Sequence, residues 1–386
     1  MKGKTLVVLL LALSFMLSIA GCGGAPKASA PAASAPAASA PAEKPAEAPS
    51  DKPAEPEQPE QPEEPYMDFP KDVKVGTSPG AMQAVIEGLC SLMKDEMNVT
   101  ATPYGGSGAT DRMVVLGDKQ IELTALSNDT IFNAFYGTGV FEETGSIPVR
   151  LLGGLQVAPI HLATWSGSGV KGVEDLVGKT FMCDFVTAPF VAAVGQRLLE
   201  FHGIADKVTV LPFSTSTDAM NALREHTADM VLNPGSIAGS SYWMEVAIQE
   251  DITFFSMTEE ERNYIAEKEP YLFPSVTVPA GVYKGLDEDC VTIGFMNSLI
   301  ALEDTNYDFV YEVMKTLFDD VDLTTPGRFT AYHADTGAFT ITTALLPAGN
   351  APFHAAAVQY YKDRGFWTDE LEAIQQELLA KAGATR

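Results

Sequence analysis

VKVGTSPGAMQAVIEGLCSLMK, residues 73–94, is the stretch that decides the fold. It reads as a short strand (73–75), a tight turn (76–80) and an amphipathic helix. Met82, Val85, Ile86, Leu89 and Met93 recur at i, i+3, i+4, i+7 and i+11, the helical period. Ser78 is placed to cap the helix, and Pro79 suits its first turn, where a missing N–H costs nothing. A strand that feeds a helix through a Gly-rich turn leaves free backbone N–H groups at the positive end of the helix dipole, which favours an anion there. Gly76-Thr77-Ser78-Pro79-Gly80 also matches G-x-S-x-G, the nucleophile elbow of α/β-hydrolases. That elbow needs the N–H of the residue after the serine, and Pro79 has none.

The same unit recurs downstream. Strand-like runs at 98–103 and 121–126 alternate with helical ones starting near Ala109 and Asn128. The turn Tyr104-Gly105-Gly106-Ser107-Gly108 follows the second strand, and Ser127-Asn128 follows the third. A βαβα rhythm predicts an α/β fold with a mainly parallel sheet, whose ligands bind at the C-terminal ends of the strands. The apolar run 149–165 carries the chain into a second lobe. There the rhythm resumes with strands at 180–185, 208–213 and 230–233 and helices at 190–203 and 217–226. Another strand is expected at 252–256. A Pro-rich passage, 270–279, precedes a strand at 291–303 and a helix at 307–318, and further helices fill the tail at 354–362 and 368–381. The expected organisation is lobe I from 66–160 and 278–386, lobe II from 161–277, and one cleft between them.

Before residue 66 the chain is of a different kind. Lys2 and Lys4 precede an apolar run, 6–17, too short to span a bilayer. Leu17-Ser18-Ile19-Ala20-Gly21-Cys22 resembles a bacterial lipobox, so 1–21 reads as a lipoprotein signal peptide and Cys22 as the lipidated mature N-terminus. Residues 22–65 form a Pro/Ala/Glu-rich linker. Its part 25–65 lacks aromatic and β-branched residues and favours extended polyproline II, reaching on the order of 130 Å at ~3.1 Å per residue.

Composition narrows the function classes. The net charge is −26, from 51 acidic and 25 basic residues, which argues against nucleic acid as a partner. Cys22, Cys90, Cys183 and Cys290 show no C-x-x-C spacing. His161, His202, His226, His333 and His354 show no metal-binding spacing and read as packing or surface residues. No P-loop or dinucleotide fingerprint occurs, and no cofactor is expected. Cys183, at a strand end read as facing the cleft, is the one nucleophile candidate besides Ser78.

With these motifs in hand, the chain resembles the TAXI family of TRAP-transporter solute receptors from about Val73 to Trp367. Val75-Gly76-Thr77-Ser78-Pro79-Gly80 resembles the family's Gly-rich first turn, and Tyr104-Gly105-Gly106-Ser107 its Thr-Gly-Gly-Ser turn. Leu126-Ser127-Asn128 sits where the family ends its third strand. Residues 167–179, with Val173-Glu174-Asp175-Leu176 and Gly178-Lys179, resemble its entry to the second lobe. Val278-Pro279-Ala280-Gly281-Val282-Tyr283 and Asp287-Glu288-Asp289 resemble its Pro-Ala-Gly-Thr-Tyr and acidic turn, and 353–365 its C-terminal helix. One loop departs: Asp184-Phe185-Val186-Thr187-Ala188-Pro189-Phe190 is bulkier and more apolar than the family's Gly/Ser-rich loop.

The resemblance implies a two-lobed periplasmic-binding-protein type II fold and no reaction. It implies an extracytoplasmic, lipid-anchored monomer that closes on a small carboxylate, such as a dicarboxylate or an acidic amino acid, and delivers it to a TRAP-type membrane permease. The expected ligand contacts are Gly76, Thr77, Ser78, Tyr104, Gly106, Ser107, Ser127 and Asn128 on lobe I. Lobe II adds Trp165, Thr187, Pro189, Pro234, Gly235 and Ser236. The alternatives are an enzyme using Ser78 or Cys183, and a ligand sensor docking to a signalling partner. Cys22→Ala should release the protein from the membrane fraction, and intact-mass analysis of the native protein should find acyl groups on Cys22. An unmodified N-terminus beyond residue 22 would refute the anchor.

Overall fold

The computed structural model describes residues 69–78, 81–332 and 339–384, so the signal, Cys22 and linker expectations fall outside it, as do Pro79, Gly80 and His333. The first part of the chain builds β1 (Asp72–Gly76), α1 (Ala81–Met97), β2 (Thr100–Tyr104), α2 (Ala109–Gly117), β3 (Leu123–Ser127) and α3 (Asn128–Tyr136). The apolar run read as a passage toward the second lobe is a single strand, β4 (Val149–Trp165). Then come β5 (Thr180–Phe185), α4 (Pro189–Phe201), β6 (Thr209–Phe213), α5 (Ser216–Arg224), β7 (Met230–Pro234), α6 (Ser241–Gln249), β8 (Ile252–Phe255), α7 (Glu259–Lys268) and β9 (Phe273–Val278). The chain ends with β10 (Cys290–Leu302), α8 (Tyr307–Phe318), α9 (Ile341–Leu345), α10 (Ala355–Asp363) and α11 (Asp369–Ala384).

Local chemistry accounts for most of these elements. In α1 the predicted stripe Met82, Val85, Ile86, Leu89 and Met93 is buried. The helix begins at Ala81, so Ser78 is not directly before it. Asn306 caps α8, its side chain accepting the Phe309 N–H at 2.9 Å. Thr215 with Asp218 and Thr258 with Glu261 form reciprocal capping boxes at α5 and α7, which set the helix starts where the hydrophobic period is weak. The passage 270–279, read only as Pro-rich, contains β9. Pro274 is tolerated there because β9 pairs only with β10, and an edge strand leaves one row of N–H groups unused.

All ten strands join one sheet. Its first half runs β2-β1-β3-β10-β4 and its second β6-β5-β7-β4, with β8 also on β4. In each half three strands are parallel to one another and the next is antiparallel. Helices cover the sheet around two hydrophobic cores. One is built on β1, β3, α1, α8 and α10, the other on β5, β7, α4 and α6. This is the α/β architecture expected, a mainly parallel arrangement in each half with helices on the sheet. Val278, Tyr283, Leu286, Cys290 and Ile293 all belong to the second core. The return to the first core therefore falls inside β10, later than residue 278, because strand pairing with β9 holds this segment in the second half.

Two strands are common to both halves. β4 enters beside β10 (Val149 opposite Leu302) and leaves beside β7 and β8. β10 starts against β9 and ends between β3 and β4. Leu299 is fully buried in β10, opposite Ala125 on one side and Gly153 on the other. Leu299→Ala should lower stability by about 2–5 kcal/mol, read as a lower urea midpoint with an unchanged m-value. A change below about 0.5 kcal/mol would show that β10 is not packed as described.

Candidate functional site

Strand register places the turns. β3 ends at Ser127, which lies opposite Asn297 of β10, and Asn297 lies opposite Gln156 of β4. β7 ends at Pro234, opposite Ile160 of β4. β3 runs parallel to β4 and β7 antiparallel to it, so their C-terminal ends point at each other. Gln156 and Ile160 are four residues apart, about 13 Å at ~3.3 Å per residue. The turns after β1, β2 and β3 thus face those after β5, β6 and β7 across a gap whose floor is the middle of β4 and β10. On that floor the Asn297 side-chain amide donates to Gln156 Oε1 at 3.4 Å.

On the first side, the Thr77 N–H donates to the Tyr104 carbonyl at 2.8 Å and ties the first turn to the second. Thr77 is buried and Ser78 half-buried. Gly76 has a packing reason for its size: a Cβ there would lie 2.2 Å from Thr124 Oγ1 on the neighbouring strand. Gly106 takes φ +62°, and a Cβ there would meet Arg112 Cγ at 2.8 Å. The Ser107 N–H donates to Asp111 Oδ2 at 2.9 Å. Ser127 occupies the N-cap position of α3 and shares a hydrogen bond with Thr130 Oγ1 at 3.3 Å. Asn128 is buried and accepts from Ser298 Oγ at 2.7 Å, while its Nδ2 has no partner. Asp129 is also buried with Oδ1 unpartnered. Burial pushes its carboxyl upward, against opposing hydrogen bonds from Ser127 and Thr130.

On the second side, Thr187 Oγ1 donates to the Ser214 carbonyl at 2.8 Å and joins the turns after β5 and β6. Pro189 opens α4. The Pro234 carbonyl accepts from Trp243 Nε1 at 2.9 Å and Tyr242 Oη at 3.1 Å. The Ser236 carbonyl accepts from Tyr283 Oη at 3.1 Å. The Gly235 N–H donates to the Pro159 carbonyl at 2.8 Å, and a Cβ on Gly235 would lie 2.2 Å from His161 Cδ2. His161 is fully buried, edge-on to Trp243, Phe254 and Tyr283, and neither ring nitrogen has a partner among the described residues. Apolar rings flank the gap: Phe185 lies 4.3 Å from Phe213, and Phe190 lies 4.6 Å from Phe295 of the floor.

Two expected residues are elsewhere. Trp165 is at the far end of β4, five residues beyond Ile160 and about 17 Å from it. It stacks on His226 at 4.1 Å and donates to the Ala228 carbonyl at 3.2 Å, so its ring closes the outer end of the second half. Cys183 faces inward against α4, where a Cβ on Gly195 would lie 2.6 Å from its sulfur. Burial pushes its thiol up to about 12, which leaves no appreciable thiolate at neutral pH. Cys90, Cys183 and Cys290 are all free. His202 pairs with Glu261 at 2.7 Å, and His354 Nδ1 accepts the Ala356 N–H at the start of α10. Among the described residues no group of three or more His, Cys, Asp or Glu is placed to hold a metal ion, and no helix is long and apolar enough to cross a membrane.

Gln156, Asn297 and Arg112 escaped the sequence reading, whereas His161 is the packing residue it was read as. The first two are polar residues inside apolar strand runs, which is the signal that marks them. Arg112 sits on the buried face of α2 beside Met113 and Leu116, a cation at an apolar helical position. Cavities of about 160 and 420 Å³ lie at the opposite edge of the first half, around Lys119, Leu302 and Asp304. They are remote from the turns, at the starts of the parallel strands.

A family model described as the NMT1-like family matches residues 75–365. No curated protein matches the chain. Similar solved structures include the periplasmic aliphatic sulphonate binding protein SsuA from Escherichia coli, 14% identical, with 80% of this chain and 86% of that one covered and a TM-score of 0.43. A periplasmic substrate-binding protein of an ABC transporter from Coxiella burnetii is 10% identical over 69% of this chain and 97% of that one, with a TM-score of 0.42. An arginine 3rd transport system periplasmic binding protein from Legionella pneumophila is 13% identical over 69% and 99%, with a TM-score of 0.41.

Burial of His161 pulls its pKa down to about 3. The unfolded chain binds that proton below ~6.5 and the native state does not until pH ~3. Stability is therefore lost as pH falls through this window, by up to ~1.4 kcal/mol per pH unit. Asp129, with its pKa raised, acts in the opposite sense, so the test is a difference between proteins. His161→Leu should lose less stability than wild type between pH 6.5 and 4 in urea titrations. Equal losses would refute the neutral buried imidazole.

Proposed function

The chain belongs to the NMT1-like family, and on that premise we propose that it is an extracytoplasmic solute-binding receptor that closes on a small carboxylate. The observation that carries this reading is the register that sets the turns after β1, β2 and β3 against those after β5, β6 and β7. Among the described residues β4 and β10 are the strands shared by the two halves, so closure is a hinge motion about the 156–160 and 294–297 segments, with 161–293 moving as the second lobe.

Chemistry in the gap supports a small organic acid. Thr77, Ser78, Ser107, Ser127, Asn128, Thr187 and Ser236 offer hydroxyl, amide and backbone groups with little bulk. The helix starts of α2 and α3 lie on its first side, and a helix N-terminus favours negative charge by ~0.3–1 kcal/mol when exposed. Phe185, Phe190, Phe213 and Phe295 supply an apolar wall, which suits a branched or aromatic acid as well as a dicarboxylate or acidic amino acid. Delivery to a TRAP-type permease of the TAXI kind, by a monomer tethered through Cys22, follows the motif resemblance. Binding without turnover is the reading for Ser78, whose follower Pro79 lacks an N–H.

A thermal-shift panel tests the proposal. Succinate, L-glutamate, phenylacetate and 4-methylpentanoate are compared with their amides and alcohols. A carboxylate at 100 times its Kd should stabilise the native state by ~2.7 kcal/mol, a shift of several degrees. A shift by neutral compounds alone would refute the carboxylate, and no shift by any compound would count against the receptor.

A further inference from the structure

We propose that Arg112 is the anion anchor of this site, the guanidinium that receives the carboxylate of the solute beneath the turn after β2. The inference rests on the receptor reading above and names the residue that would set its preference for acids.

Arg112 is 5% exposed. Its Nη1 donates to the Gly105 carbonyl at 3.2 Å, and its Nε has no acceptor. Among the described residues no carboxylate lies within ion-pair distance of it. The other buried arginine, Arg150, has Glu303 at 2.9 Å, and Arg197 has Glu200 at 2.8 Å and Glu269 at 2.9 Å. A buried charge is costly unless a counter-charge meets it, and the nearest one, Asp111, favours the cation without forming an ion pair with it. Burial also draws the Arg112 pKa downward, against the favourable charge of Asp111. A guanidinium held in this way offers a planar fork of donors to a carboxylate.

The surroundings hold that fork against the turn after β2. Arg112 follows the Tyr104–Gly108 turn on α2, a nine-residue helix. The turn is folded onto its side chain, since a Cβ on Gly106 would lie 2.8 Å from Arg112 Cγ. Its guanidinium bonds to the carbonyl in the middle of that turn. The neighbouring acid, Asp111, accepts the Ser107 N–H and so spends one oxygen on the loop. Thr77, at the end of β1, is bonded to the Tyr104 carbonyl at 2.8 Å, which keeps the first and second turns together beside the arginine. Unpartnered Asn128 Nδ2 lies on the next strand end but one, after β3.

Arg112→Met and Arg112→Lys are compared with wild type, using the same acid, amide and alcohol panel and then calorimetric titration of each acid that shifts the wild type. Arg112→Met should weaken binding of that acid by on the order of 100-fold, and Arg112→Lys, which keeps the charge and loses the fork, by roughly 10-fold. Far-UV circular dichroism and the ligand-free melting point report the fold. Ligand-free Arg112→Met removes a poorly compensated buried charge and also the hydrogen bond to the Gly105 carbonyl, two opposing effects, so its melting point should stay within a few degrees of wild type. Equal affinity of wild type and Arg112→Met for the acid would overturn the anchor and leave the receptor standing. So would a wild type that responds only to amides or alcohols. If Arg112→Met fails to fold, the same affinity in Arg112→Lys as in wild type overturns the fork. A wild type that responds to no solute removes the receptor reading, and the anchor with it.

Discussion

The antiparallel pairing of β4 with β10 is the constraint on which the rest depends. These two strands are the members of the sheet that belong to both cores, and each changes partners part-way along. β4 is flanked by β10 at its start and by β7 and β8 at its end. Shifting the pair by one residue would turn every apolar side chain of a doubly buried strand to the wrong face. It would also move Ser127 relative to Pro234, since both positions are set by register on β4. The same hydrogen bonds that hold the fold therefore set the distance between the two rows of turns. Irregularities in the β4–β10 ladder fall at Asn297/Ser298 and Leu299/Ile300, beside the floor of the gap.

Polar groups left without partners are concentrated near strand ends on both sides. Arg112, Asn128 and Asp129 lie around the turns of the first half, and His161 lies under Gly235 in the second. Thr124 Oγ1 and Arg224 Nε also lack partners, whereas other buried polar groups are paired: Thr292 donates to the Ile160 carbonyl at 2.6 Å, and Gln375 bonds both the N–H and the carbonyl of Phe353. An unsatisfied buried donor costs about 1–3 kcal/mol, more if charged. Strain of this kind is tolerated where a partner can arrive from outside. His161 differs from the others, because a closed box of rings surrounds it and the burial keeps it neutral.

Several elements were legible in the chain itself. The helical stripe from Met82 to Met93, the continuous apolar run of β4, and the strand and helix at Cys290–Leu302 and Tyr307–Phe318 are local patterns, and local patterns survive folding. The α7 helix was missed because its apolar residues are sparse, though Thr258 and Glu261 carry a capping signal. Within β9, Pro274 reads as a breaker, and only the knowledge that this strand lies on an edge makes it acceptable. Trp165 looked like a ligand wall because it ends a strand. Which end of the second half it occupies follows from antiparallel pairing with β7, and no local pattern reports that.

By itself, the sequence determined the α/β class, the alternation of strands and turns, the small polar composition of those turns and the apolar run that joins the halves, because each is a matter of periodicity or of backbone freedom over a few residues. Only the tertiary structure decided which turns face one another, that Gln156 and Asn297 meet on the floor, that Cys183 points inward, and that Arg112 lies buried without an ion pair. The reason is physical: burial and pairing are set by residues far apart in the chain. Asn297 is brought to Gln156 across 141 positions, and the burial of Arg112 is a property of everything packed near it.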